Sequence, residues 1–290
     1  MPTLERLARQ GAAIESILGI VGTMKALAAV NIPAAERAAE SASAFHETVL
    51  DGLSVALRAM PRASAVPAVP TSPPCIVIAF GTDHGLCGGF NEAVARAITG
   101  IAGAPRVFAV GGRVANAIER EGLSAERVFK AAAASDGLRA LSAELILALD
   151  EMPETATPTV DLIHQTRASD GTTTVDRSRL LPLDQAFFAD LAERSWPGSR
   201  LPMLPAEASV IFRSLTRQHL AISLYRAGAQ SLAAEHTIRL ALMSHAEKEL
   251  DRRRDEVSAA HRRLRQAHIT DELLDIVSGF DAIGAMTGET

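Results

Sequence analysis

Proline and glycine are nearly missing from the last third of this 290-residue chain. All 14 prolines lie at or before Pro205, and Gly228 is the only glycine between Ala206 and Val277. Proline interrupts helices, whereas a single interior glycine costs only about 1 kcal/mol relative to alanine. The stretch is therefore predicted to form one very long helix with at most one break.

Aromatic residues, cysteines and excess positive charge are also scarce. Aromatics make up 4% of a chain that is 48% hydrophobic, and the net charge is −5. Cys75 and Cys87 are too few for a disulfide framework or a structural zinc site. The charge disfavours a nucleic-acid partner, and no run of about 18 uninterrupted apolar residues is present, so we expect no direct membrane span.

Apolar residues near both ends of the chain recur at alternating spacings of three and four, which is typical of a coiled-coil seam. The N-terminal series runs from Leu4 to Ile32, and the C-terminal series runs from Ala246 to Leu274, with Arg253 and Asp271 as polar interruptions. The two ends are therefore predicted to pack as an antiparallel pair.

Between these ends, short β-branched or aromatic runs alternate with helical stretches. The runs are Cys75–Phe80, Arg106–Val110, Arg127–Lys130 and Val160–His164. Such alternation indicates a mostly parallel sheet covered by helices. We thus predict an α/β fold, with a long antiparallel coiled coil and a central Rossmann-like domain. The predicted segments are a helix at 1–60, a proline-rich linker at 61–74, the α/β domain at 75–205 and a helix at 206–290.

A glycine-rich loop, Phe80 to Asn91, follows the first predicted strand. This position often binds phosphate, but neither a P-loop nor a dinucleotide fingerprint is present. A structural turn is the favoured interpretation. Cys87 beside His84 is expected to be a small buried residue rather than a nucleophile. The histidines of the long helix show no metal-binding spacing and are expected at the surface or an interface: His219, His236, His245, His261 and His268.

Arginines cluster between Glu247 and Arg265, but acidic residues interleave with them. At spacings of three and four these residues form ion pairs along a helix. A solvated helix face is therefore expected here rather than a nucleic-acid surface.

Three strings resemble elements of the F-type ATP synthase gamma subunit. RQAHITDELLDIVSG, from Arg265 to Gly279, resembles its C-terminal signature. TMKALAA, from Thr23 to Ala29, resembles its A-M-K-M-V-A-A element, and TDHGLCGGFN, from Thr82 to Asn91, resembles its S-D-R-G-L-C-G-G-F-N loop. The motifs occur in the family's order and span nearly the whole chain. Departures include Pro33 within the first predicted helix, where it would produce a kink, and His84 in place of Lys or Arg.

The resemblance implies a rotor shaft without catalytic residues, cofactor or metal. Its partners would be the alpha, beta and epsilon subunits and the membrane c-ring, at the cytoplasmic face of the cell membrane, with protons or sodium as the coupling ion. The resemblance also implies rotor contacts at Met24, Lys25, Arg239, Gln266, Thr270 and Glu272, and a family-type loop with Asp83, Gly85, Cys87, Gly88 and Asn91.

Two other interpretations remain open from the residues alone. The glycine-rich loop is compatible with a free-standing nucleotide-binding α/β protein that carries coiled-coil arms. The heptad pattern is compatible with a coiled-coil scaffold that has no ATPase partner.

Overall fold

Two long helices and a central sheet make up the described chain. The computed structural model describes residues 3–60, 75–101, 103, 105–152, 158–168, 171–183, 185–199 and 202–287, with side chains as far as residue 277. Helix α1 (Leu4–Ala59) has 56 residues and helix α6 (Ala208–Thr287) has 80. The predicted linker 61–74 lies outside the described residues, and the four-segment division stays a prediction.

The sheet has five strands in the order β3-β2-β1-β4-β5. Strands β1, β2, β3 and β4 run parallel to one another, whereas β5 runs antiparallel to β4. The predicted fold class is thereby confirmed. The strands are β1 (Cys75–Phe80), β2 (Arg106–Val110), β3 (Ala125–Phe129), β4 (Thr159–Arg167) and β5 (Thr173–Leu181). The helices between α1 and α6 are α2 (Phe90–Thr99), α3 (Gly112–Arg120), α4 (Leu138–Asp150) and α5 (Gln185–Glu193), with a 3-10 turn at Ser135–Gly137.

The chain divides into two compact units. The smaller unit contains residues 1–27 and 240–290, and the larger contains residues 28–239. Helices α1 and α6 each contribute residues to both units.

In the smaller unit α1 and α6 pack antiparallel along the predicted seam. Lys25 pairs with Glu247, and Gly11 lies against Val257. The partner number on α6 rises as the number on α1 falls, which defines the antiparallel direction. The buried residues of α1 recur every seven positions, at Leu7, Ile14 and Val21.

The same seven-residue interval continues through α1 in the larger unit, but with smaller side chains. Its buried positions there are Ala28, Ala35, Ala42, Val49 and Ala56. Ala35 is fully buried and packs against Leu232 and Ala233 of α6. Alanine at these positions lets the two helix backbones approach closely.

Pro33 lies inside α1 without ending it. Its ring removes one backbone donor, and its side chain is exposed. The carbonyl of Pro33 accepts a hydrogen bond from Arg37 Nε at 3.1 Å. The helix is therefore continuous at Pro33, and the predicted kink stays a prediction.

Alternate residues of the strands build two apolar layers, one on each face of the sheet. On one face, Val77 and Ala79 pack with α2 and α3. On the other face, Ile76, Ile78 and Phe80 pack with α4 and with α6. Helix α6 is thus part of the core of the larger unit as well as a partner of α1.

Gly228 is the lone glycine in the described part of α6 before residue 278. Its close contacts explain why this position has no side chain. A Cβ atom there would lie 2.9 Å from Leu138 Cδ2 and 3.3 Å from the Phe80 ring. Glycine lets α6 pass close to the sheet without breaking the helix. The long helix therefore has no break at this residue.

Neither strand β5 nor helix α5 was predicted from the sequence. The strand Thr173–Leu181 is largely exposed and polar, because it forms an edge of the sheet. Buried Asp161 on β4 accepts hydrogen bonds from Arg177 at 2.8 Å and from Arg179 at 3.1 Å. These two ion pairs connect the edge strand to the core. Strand β3 also begins two residues before its predicted start and ends one residue before its predicted end.

Helix α1 is long and apolar enough to cross a membrane by length and composition, with an 18-residue window of mean hydropathy 1.6. Only 17% of that window is buried. Ile17, Ile20, Leu27 and Val30 are among its exposed aliphatic residues. No described residue of the chain covers these side chains.

The close α1–α6 packing at Ala35 can be tested by enlarging this side chain. We expect Ala35→Leu to lower the free energy of unfolding by about 1–3 kcal/mol, because no space is available for the added atoms. Ala29→Leu, on the exposed side of the same helix, should change it by less than about 0.5 kcal/mol. Urea unfolding followed by circular dichroism measures both variants, and equal losses would contradict close packing at Ala35.

Candidate functional site

The last described turns of α6 form a single helix without a partner. Leu264 is half-buried, whereas every residue from Arg265 to Val277 is exposed. Helix α1 begins at Leu4 and runs antiparallel to α6. No described residue of α1 is therefore left to pair with this exposed segment of α6. Three of the predicted contact residues lie here, namely Gln266, Thr270 and Glu272.

This exposed segment has two different faces at 100° per residue. Its aliphatic residues occupy one arc of about 160°. Gln266 and Thr270 lie within that arc, whereas Glu272 lies on the opposite, acidic arc with Asp271 and Asp275. The aliphatic residues are Ile269, Leu273, Leu274, Ile276 and Val277, each between 47% and 59% exposed. The predicted contact residues of this segment therefore do not share one face.

Local contacts on the segment are few. Thr270 Oγ1 donates to the carbonyl of Gln266 at 2.9 Å, and His268 Nε2 lies 3.5 Å from Glu272 Oε1. The side chain of Glu272 is 65% exposed, so its carboxylate is available to a partner.

Met24 and Lys25 lie on the paired part of the smaller unit. Lys25 Nζ is 2.5 Å from Glu247 Oε2, and Met24 is half-buried. Residues 247 and 266 are about 28 Å apart along α6 at the usual helical rise. The structure therefore separates Met24 and Lys25 from the exposed end of the helix.

The arginine-rich stretch of α6 carries balanced charge, as expected. Arg252 pairs with both Glu249 and Glu256, and Arg253 also pairs with Glu249. Hydrogen bonds from these two arginines lower the pKa of Glu249 to about 2. The acidic partners neutralise the positive charge locally, which disfavours a nucleic-acid surface.

Arg239, another predicted contact residue, lies in the larger unit and is partly buried. Its guanidinium is 2.5 Å from Glu235 Oε1, and the two side chains are only 11% and 10% exposed. Burial raises the pKa of Glu235, and the charge of Arg239 opposes that shift. Arg239 is thus engaged in an internal ion pair.

The glycine-rich loop after β1 is held by its own polar side chains. Asn91 Oδ1 accepts from the backbone of Thr82 at 3.0 Å, and Asn91 Nδ2 donates to Thr82 Oγ1 at 3.0 Å. Asp83 accepts from the backbone N–H groups of Gly112 and Ala131, each at 2.8 Å. A carboxylate already occupies the start of α3, where a bound anion would otherwise be favoured.

The glycines of this loop meet steric and conformational needs. A Cβ at Gly81 would lie 2.3 Å from Val114 Cβ, and Gly88 adopts a positive φ of 58°. Gly85 lies near the Arg113 side chain. These contacts favour the structural-turn interpretation over a nucleotide site.

Cys87 is buried below the loop. Burial raises the pKa of its thiol, which keeps it protonated at neutral pH. Nearby, Gln165 at the end of β4 donates to the carbonyl of Phe90 at 2.8 Å. This bond lies at the point where the strand order reverses between β1 and β4, the place where α/β sheets commonly bind ligands.

The α6 histidines were expected at the surface or at an interface, and His219 and His236 are not at the surface. Both are buried in the larger unit. His219 Nδ1 is 2.9 Å from Nε2 of buried His46 on α1. Burial lowers the pKa of His219 to about 4 and that of His236 to about 4. Sequence spacing could not reveal this pairing, because the two residues of the pair lie on different helices.

Comparisons with known proteins decide the family. Residues 3–283 match the family model described as ATP synthase, and curated relatives over the whole chain are named ATP synthase gamma chain. The chain belongs to the ATP synthase gamma-chain family. The predicted family resemblance is thereby confirmed.

The relatives of this gamma-family chain are distant but nearly full length. The ATP synthase gamma chain of Granulibacter bethesdensis is 27% identical over 98% of this chain and 100% of its own. That of Rhodospirillum rubrum is 26% identical with the same coverage.

Solved structures share the fold of this gamma-family chain. A chain of the Euglena gracilis mitochondrial ATP synthase has a TM-score of 0.62 at 13% identity, over 97% of this chain and 95% of its own. A chain of the Tetrahymena thermophila central stalk and c-ring has a TM-score of 0.53 at 20% identity, over 78% and 99%.

The burial of His219 and His236 predicts a loss of stability in acid. Their pKa values are about 4 in the folded protein and 6.5 in the unfolded chain, so the unfolded chain binds protons first as pH falls. The stability they contribute is complete above about pH 6.5 and is lost between pH 6.5 and 4. Each should cost about 2 kcal/mol by pH 5.

Urea unfolding between pH 8 and pH 5 measures this loss. His219→Gln should make the decline in unfolding free energy shallower by about 2 kcal/mol, because one suppressed protonation is removed. His245→Gln, at an exposed histidine of α6, should leave the decline unchanged. Parallel declines in the wild type and His219→Gln would show that His219 does not cause the effect.

Proposed function

We propose that this gamma-family chain is the central-stalk rotor of an F-type ATP synthase. It turns inside a hexamer of alternating alpha and beta subunits, and its rotation couples transmembrane proton or sodium flow to ATP synthesis or hydrolysis. The observation that carries the proposal is the partnerless end of α6, with its arc of exposed aliphatic residues.

Such an apolar arc requires a cover from another protein. Isolated exposed aliphatic residues are ordinary, but a contiguous set along a helix marks an interaction surface. The described residues of this chain supply no cover for the arc. A surrounding sleeve of alpha and beta subunits would cover the arc and also meet the acidic side that carries Glu272.

The exposed aliphatic residues of α1 support the same arrangement. Ile17, Ile20 and Leu27 lie in the smaller unit together with the end of α6. The hexamer would contact these residues where α1 and α6 are paired. Small and aliphatic side chains suit a surface that must slide, because they form few directional bonds.

We propose that this chain itself catalyses no reaction. In the glycine-rich loop, Asp83 and Asn91 hold the turn backbone, and Cys87 is a buried, protonated thiol. These observations favour a mechanical subunit over a nucleotide-binding enzyme. We propose that the catalytic sites belong to the surrounding subunits.

We propose that the larger unit, which contains the sheet, contacts the epsilon subunit and the membrane c-ring, so that the chain is peripheral at the cytoplasmic face of the membrane. The coupling ion would be selected by the c-ring.

The residues of the proposed rotor contacts differ in how far they are exposed and in whether they already form ion pairs. Gln266, Thr270 and Glu272 are exposed and ready for contact, while Met24 and Lys25 lie at the edge of the α1–α6 seam. Arg239 is held by Glu235. A sleeve contact by Arg239 would require this ion pair to open or the partner to recognise the pair as a whole.

Assembly with the organism's own subunits tests the proposal. A tagged copy of the chain should bring down the alpha, beta and epsilon subunits from detergent-solubilised membranes. A second tagged chain that ends at Arg265 should recover less alpha and beta, because it lacks the apolar arc. Recovery of none of these subunits by the full chain would refute the rotor function.

Charge reversal at the exposed end of α6 predicts a loss of coupling. We expect Glu272→Lys to lower the ratio of ion pumping to ATP hydrolysis roughly fivefold, the effect of losing about 1 kcal/mol of contact energy. The matched control is Glu119→Lys, an exposed glutamate on α3, which should leave the ratio unchanged. Proton or sodium uptake into inverted vesicles measures pumping, and equal ratios would remove Glu272 from the proposed contact.

A further inference from the structure

A polar cavity of about 430 Å³ lies inside the larger unit, away from the glycine-rich loop. It is lined by α1, β4, β5 and α6. His46 comes from α1, His164 from β4, Ser178 from β5, and His219 and Arg226 from α6. Its volume falls within the usual range of small-molecule sites, about 300–1,000 Å³.

Several polar groups at this cavity have no partner among the described residues. His46 and His164 are 8% and 3% exposed, and the Nδ1 atom of each is buried without a hydrogen bond. Their Nε2 atoms are used, by His219 in one case and by Gln230 in the other, at 2.9 Å each. A buried polar atom without a partner costs about 1–3 kcal/mol, so the walls of the cavity contain two such unpaired atoms.

Arg226 adds a positive charge to the cavity. Within the described ranges its guanidinium forms no hydrogen bond or ion pair, in contrast to Arg179 at the rim, which pairs with Asp161. Asp176 is the single acidic residue in the lining. The charge of Arg226 also contributes to the lowered pKa values of His46, His164 and His219.

The chemistry of this lining selects an anion with several oxygen atoms. Arginine offers a rigid fork of N–H donors that matches phosphate, and imidazole and serine groups donate single hydrogen bonds. Ser178 and Ser223 place hydroxyl groups on the same lining. A metal cation is disfavoured by Arg226, and no group of three metal-binding side chains occurs in the described part of the chain.

We propose that this cavity binds a phosphate group, either as free inorganic phosphate or as part of a phosphomonoester. Arg226 neutralises the charge, and the hydroxyl groups of Ser178 and Ser223 donate to the remaining oxygens. The bound group joins α1, the β4–β5 edge of the sheet and α6. This site lies outside the rotor contacts and is independent of whether the chain turns in a hexamer.

Isothermal titration calorimetry of the full chain at pH 7.5 tests the site with inorganic phosphate and, separately, with AMP. We expect saturable binding with one phosphate per chain. Arg226→Gln should weaken it at least tenfold, because the balancing charge is lost. Arg213→Gln, at an exposed arginine of α6 outside this cavity, should bind like the wild type.

Ser223→Ala keeps the test valid if Arg226→Gln fails to fold. It removes one small donor and should weaken binding severalfold without unfolding the chain. Tighter binding of AMP than of phosphate would support a phosphomonoester, and equal binding would support free phosphate. No saturable binding of either probe, or equal weakening by Arg226→Gln and Arg213→Gln, would overturn the proposal.

Discussion

The close approach of α1 and α6 is the constraint on which the rest of the structure depends. The α1 side chains that are buried at every seventh residue, from Leu7 through Ala35 to Ala56, keep the helices in register. Most of these side chains in the larger unit are alanine. The helices gain their contact from backbone proximity rather than from bulky side chains, so enlarging one of them disturbs both helices.

Helix α6 takes part in two kinds of packing within the larger unit. One side of it meets α1, and another meets the sheet at Phe80, where Gly228 removes the only atom that would obstruct the approach. A helix that serves two partners has little exposed surface left. This explains why His219, Glu235 and His236 are buried, although their spacing along α6 gives no sign of it.

Periodic apolar residues allowed the paired helices and the first two strands to be predicted well. The seam residues between Leu4 and Val21 are the buried or half-buried ones in the structure. Strand β5 could not be predicted in this way, because an edge strand buries few of its side chains, and it is linked to the core by its backbone pairing with β4 and by the ion pairs of Asp161. The His46–His219 contact joins residues far apart in sequence, and only the fold brings them together.

The mismatch between the ends of the two helices has a mechanical consequence. A pair of helices resists twisting more than one helix does, because side-chain contacts between them oppose relative rotation. Resistance to twisting should therefore drop beyond Leu264, where α6 continues past Leu4, the first residue of α1. Under torque, elastic strain would concentrate in that single helix, because it twists more easily than the paired helices do.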